Sequence, residues 1–147
     1  EQLAAEALEK ERIMQIELQR RADQALLATY LSVEEIVMHR DRRVELFQAQ
    51  AKVTELYLSN LNRRLDSIRK EASKFQPYSD DANAPLIGDD LSEDLNSTKE
   101  TIARHERNLE KYELEEKDIF ERFNQDIERF KVLKGITAPA QAASTSP

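Results

Sequence analysis

The sequence predicts an all-α protein: a long antiparallel coiled-coil helical hairpin, with an additional N-terminal helix and a disordered C-terminal tail. Three observations predict it. Val44, Phe47, Ala51, Thr54, Leu58, Leu61, Leu65, Ile68, Ala72 and Phe75 follow one another at steps of three and four. That is the spacing of a coiled-coil seam and of no other element. A second stripe with the same steps, Leu91, Leu95, Thr98, Ile102, His105, Leu109, Tyr112, Glu116 and Ile119, follows a short break. The composition fits solvated helices, with 35% charged residues, two glycines and no tryptophan.

Residues 1–31 are rich in Ala, Glu, Gln, Arg and Leu, which favour helix. Leu3, Leu8, Ile13, Ile16, Leu18, Leu26 and Leu27 do not settle onto one face. This segment is expected either to project into solvent or to order against a partner. Ser32 with Glu35 has the spacing of a capping box, and Leu31 with Ile36 that of a hydrophobic staple. Together they predict a corner near residues 30–32; one continuous helix with a serine inside it is the alternative.

The first coiled-coil helix is expected over 32–75 and the loop over 76–90, where prolines, Gly88, Asn83 and the aspartates 80, 81, 89 and 90 cluster. Asp90 and Glu93 suggest the cap of the second coiled-coil helix, 91–134. Near its end the steps shift to Ile119, Phe123 and Ile127, a stutter that locally unwinds a supercoil. Gly135 then reads as a left-handed C-terminal cap, and 135–147 as a disordered tail of small polar residues and prolines.

Folding the hairpin about its loop pairs Phe75 with Leu91, Leu61 with His105 and Phe47 with Ile119. It also sets Arg40 against Asp126, an ion pair suited to fixing register. Leu46, Val53 and Tyr57 form a partial second stripe, and Phe120 lies off the other seam. They predict a further covering helix, either residues 1–31 folded back or a second copy of the chain.

Net charge is −7. Residues 32–75 are slightly basic and the other segments acidic, which favours pairing of the two main helices, although surface charges contribute little. The acidic total and the lack of interleaved aromatics argue against nucleic acid, despite a basic flank at Arg42, Arg43, Arg63, Arg64, Arg69 and Lys70. With no cysteine there is neither a disulfide nor a thiolate zinc site. No apolar run approaches the ~18–20 residues that span a bilayer, so no direct membrane insertion is expected.

The candidate chemistry is thin. His39-Arg40-Asp41 matches the start of a kinase catalytic loop, but position 46 is leucine where asparagine is due and no glycine-rich loop exists. The two histidines fall in different places along the hairpin and cannot share a metal. The loop aspartates lack the ligand spacing of a calcium loop, and Asn96-Ser97-Thr98 is a glycosylation sequon of the kind that arises by chance. No catalytic residue, cofactor site or metal site is assigned. Leu86 and Ile87 in the loop are expected to cap the seam or, if exposed, to form an apolar tip for a partner.

The stretch Arg21-Ala-Asp-Gln-Ala-Leu-Leu-Ala-Thr-Tyr-Leu-Ser-Val-Glu-Glu-Ile36, continuing through His39 to Arg42, resembles the C-terminal helical region of proteobacterial envelope proteins of unknown function. In these a signal peptide and a small N-terminal domain precede a charged linker helix, a segment of this pattern and a coiled coil. The resemblance covers residues 10–75 well and the rest loosely. It implies a periplasmic or envelope location and a corner at Ser32, and it supplies no activity. The small N-terminal domain has no counterpart here, as a trimmed chain would have it.

The expected function is therefore a non-enzymatic structural or protein-interaction coiled-coil module of a bacterial envelope. It would bury an incomplete apolar stripe against itself or a partner helix, with Leu46, Val53, Tyr57, Leu86, Ile87 and Phe120 as candidate interaction residues. A homo-oligomer is expected. The alternative is a helical chaperone or a secretion- or pilus-system accessory that holds another protein's helix.

Overall fold

The computed structural model of the chain describes residues 1–136. Three helices follow in order: α1, Gln2–Thr29; α2, Val33–Ala72; and α3, Asp89–Lys134. Among the described residues there is no strand, only an isolated bridge between Gln76 and Leu86. α2 and α3 pack on each other as an antiparallel helical hairpin. Every position of the two predicted stripes is buried or half-buried, because a 3-4 spacing keeps one face of each helix on its partner. The expected disorder of 137–147 lies outside the described residues.

The chain divides into two compact units, Glu1–Arg43 with Asp118–Pro147, and Val44–Lys117. In the second, Leu58, Leu65, Ile68, Leu95 and Ile102 form the core, with Leu61, Leu91 and Leu109 packed against it. Ala51, Thr54 and Thr98 are buried with them. Thr54 donates its hydroxyl to the carbonyl of Gln50 at 3.0 Å, so this polar group enters the seam already satisfied.

In the first unit, Leu26 of α1, Ile36 of α2, and Ile127 and Phe130 of α3 make a three-helix core, flanked by Tyr30, Val33, Val37, Phe123 and Leu133. Ile36 and Phe130 are completely enclosed. The corner between α1 and α2 is closed by a cap. Glu35 N–H donates to Ser32 Oγ at 3.2 Å. The Glu35 carboxylate accepts from Leu31 N–H at 2.9 Å, one residue earlier than the capping-box pattern implies. Tyr30 N–H still reaches Leu26 O at 3.2 Å.

α3 begins at Asp89, one residue before the expected cap at Asp90; Ser92 N–H donates to Gly88 O at 3.0 Å. Asp89 and Asp90 then occupy the first turn, where the helix dipole favours them. Its far end closes in a Schellman motif. Gly135 takes a φ of 69°, with Gly135 N–H on Val132 O and Ile136 N–H on Lys131 O.

The register differs from the predicted pairing. His105 stacks on Tyr57, with centroids 5.7 Å apart, a helical turn away from Leu61. Arg40 does not meet Asp126. It donates to Asn124 Oδ1 at 2.8 Å, pairs with Asp41 at 3.0 Å and lies over the Phe120 ring at 4.7 Å. Asp126 is half-buried without an arginine, and burial raises its pKa above the ordinary carboxylate value.

Candidate interaction surfaces

The six candidate residues separate into three places. Leu46, Val53 and Tyr57 come together, each more than half exposed. With Ala49, Gln50, Thr54, His105, Asn108 and Tyr112 they line an open trough of about 350 Å³ beside the seam. Two of the lining residues, Tyr57 and His105, stack on each other. The covering expected of a further helix is not seen on Leu46, Val53 and Tyr57 among the described residues.

Leu86 and Ile87 take opposite roles rather than sharing one. The loop between α2 and α3 is tied by its backbone: Gln76 N–H donates to Pro85 O at 2.8 Å and Ile87 N–H to Gln76 O at 2.9 Å. The Gln76 amide side chain donates to the carbonyls of Ser79 and Asp81. Asp81 Oδ1 accepts from Asn83 N–H at 2.9 Å, which closes a turn of the loop. This lacing turns Ile87 inward to a half-buried position and leaves Leu86 81% exposed. Phe120, 43% exposed, is occupied by the Arg40 guanidinium and offers less free apolar surface than its position off the seam implies.

Among the described residues, α1 carries more exposed large apolar side chains than either other helix. Of its 28 residues, Leu26 alone is buried. Leu3, Leu8, Ile13, Met14, Ile16 and Leu18 are all more than half exposed. Lys10, Ile13, Met14, Glu17, Leu18 and Arg21 line a shallow trough of about 480 Å³ along the helix.

The last two turns of α1 are held from the other side by a pair that the sequence stripes do not reveal. Arg129 Nε and one terminal nitrogen donate to the two oxygens of Asp23 at 2.8 and 2.7 Å, a bidentate fork. This arginine holds the Asp23 carboxyl down at about 2, from an ordinary value of 3.8. Gln19 adds a third bond to Asp23 at 2.8 Å. Tyr30 lies beside His39 at 5.6 Å, and its hydroxyl pKa is raised, mainly by burial and then by Asp126.

Among the described residues no buried side-chain nitrogen or oxygen lacks a partner, and no group of three His, Asp or Glu side chains is placed to hold a metal ion. No helix there is long and apolar enough to cross a membrane. Compared with family models, curated proteins and solved structures, the chain matches none.

Proposed function

We propose that this chain is a non-enzymatic, self-associating interaction module of a bacterial cell envelope, and that α1 is its assembly element. The observation that carries the reading is the state of α1: 28 residues of helix with one buried side chain. Most helical stability in proteins comes from packing an apolar face against a partner, and exposed apolar side chains in number on one element mark an interaction surface. The envelope location rests on the resemblance of residues 10–75 to proteobacterial envelope proteins.

Light scattering coupled to size exclusion, on the whole chain over a hundredfold range of concentration, is the test. A defined oligomer that falls apart on dilution supports the reading. A monomer throughout removes self-association. It would favour the second reading, a helical chaperone or secretion-system accessory, for which the open trough at Leu46, Val53 and Tyr57 is the seat of a partner helix. Fractionation of cells expressing the natural gene checks the location, and a cytosolic product would remove the envelope.

A further inference from the structure

The exposed side of α1 is self-complementary when turned end for end. Ala4, Ala7, Glu11, Met14, Leu18, Arg21, Ala25 and Ala28 follow at steps of three and four, and all eight are exposed. Their stripe lies about a third of a turn round the helix from Asp23, Leu26 and Tyr30, the residues that dock α1. Placed antiparallel against an identical stripe about a two-fold axis at Ile16, Met14 meets Leu18 of the second copy. Glu11 meets Arg21, Ala7 meets Ala25 and Ala4 meets Ala28. Apolar meets apolar, acid meets base, and small meets small.

On the strength of this match we propose that two copies of the chain pair through α1 as an antiparallel, two-fold coiled coil centred between Met14 and Leu18. The proposal rests on the self-association reading and adds its surface, direction and register. Charge in the stripe agrees with it. Within the stripe the charged members are Glu11 on one side of the axis and Arg21 on the other. Antiparallel pairing sets Glu11 against Arg21; parallel pairing sets Glu11 against Glu11 and Arg21 against Arg21.

The four alanines let the backbones approach closely at both ends, while Met14, 62% exposed, and Leu18, 54% exposed, fill the middle. Leu8 flanks the seam opposite Ala22 and extends the apolar contact. Glu17 comes near its own counterpart across the axis. Its charge is already met within the chain by Arg20 at 2.6 Å and Arg21 at 3.2 Å. Arg21 has donors left for Glu11 of the other copy. An isologous contact of this kind closes at two copies and leaves no open end for a filament.

Charge reversal in the whole chain tests it by sedimentation equilibrium. Glu11→Arg alone, or Arg21→Glu alone, puts like charges across the seam twice per dimer and should raise the dissociation constant at least about tenfold. The double variant E11R/R21E restores complementarity and should recover the wild-type constant. Since both side chains are exposed, circular dichroism should show all three variants folded. Because the chain lacks cysteine, a second measurement is available: a mixture of Met14→Cys and Leu18→Cys chains should oxidise mainly to the mixed disulfide. A wild-type monomer at every concentration overturns the self-association reading itself. A dimer indifferent to the single reversals, or one giving M14C–M14C as the main disulfide, overturns this register while leaving self-association standing.

Discussion

Asp23 shows how one side chain ties the N-terminal helix to the rest of its unit. Its folded pKa of about 2 lies below the ordinary 3.8, so the stability it contributes is complete above that value and is lost as pH falls through about 2. Asp126 runs the other way. Burial raises its pKa, so its ionised form opposes folding, and what its protonated form contributes is lost as pH rises through the raised value. A carbon-detected titration should place the Asp23 carboxyl near 2 in the native chain, and Arg129→Gln should return it toward 3.8. Core substitutions scale with enclosure. Phe130→Ala should cost about 3–5 kcal/mol and Ile36→Ala about 2–5 kcal/mol, whereas Leu46→Ala, at an exposed position, should stay within about 0.5 kcal/mol, all read from urea unfolding. The Asp23–Arg129 pair had no signature in sequence, because its members lie far apart in the chain and a bidentate fork has no period.

At the scale of elements, caps decide where the helices stop. Ser32→Ala removes the acceptor of Glu35 N–H and should lower stability by about 1 kcal/mol. Gly135→Ala forces a Cβ onto a backbone at φ 69°, at a cost of about 1 kcal/mol. Both would appear as reduced midpoints in thermal unfolding by circular dichroism. The stripes of α2 and α3 were legible to the residue, since burial along a seam repeats with the heptad. Their register was not. A shift of one turn still lays stripe on stripe, so periodicity alone cannot separate the Leu61–His105 pairing from the observed Tyr57–His105 stack. What fixes the register is local and aperiodic: the backbone bonds joining Gln76 to Pro85 and Ile87, and the Arg40–Asn124 contact. α1 was legible as a helix but not as a surface, because alanines spaced for close approach do not register in a reading keyed to leucine.

For the whole molecule, pairing through α1 links stability to concentration. A dimer that binds only folded chain raises its own melting temperature as chain is added. The thermal midpoint should therefore rise over a hundredfold increase in concentration, and the E11R chain should not follow. Hydrogen exchange should report the same event locally, with the amides of residues 4–18 protected at high concentration and open at low. The anchoring of α1 by its last two turns has a geometric consequence as well. With about 1.5 Å of rise per residue, the span from Asp23 back to Leu3 is a lever about 30 Å long whose fulcrum is Asp23, Arg129 and Leu26. A rocking of about 5° at that fulcrum would sweep the far tip of so long a lever through about 2.6 Å, enough to open or close a side-chain contact there. Any small repacking around Phe130 would thereby be magnified at Leu3 without unwinding a single turn of the helix.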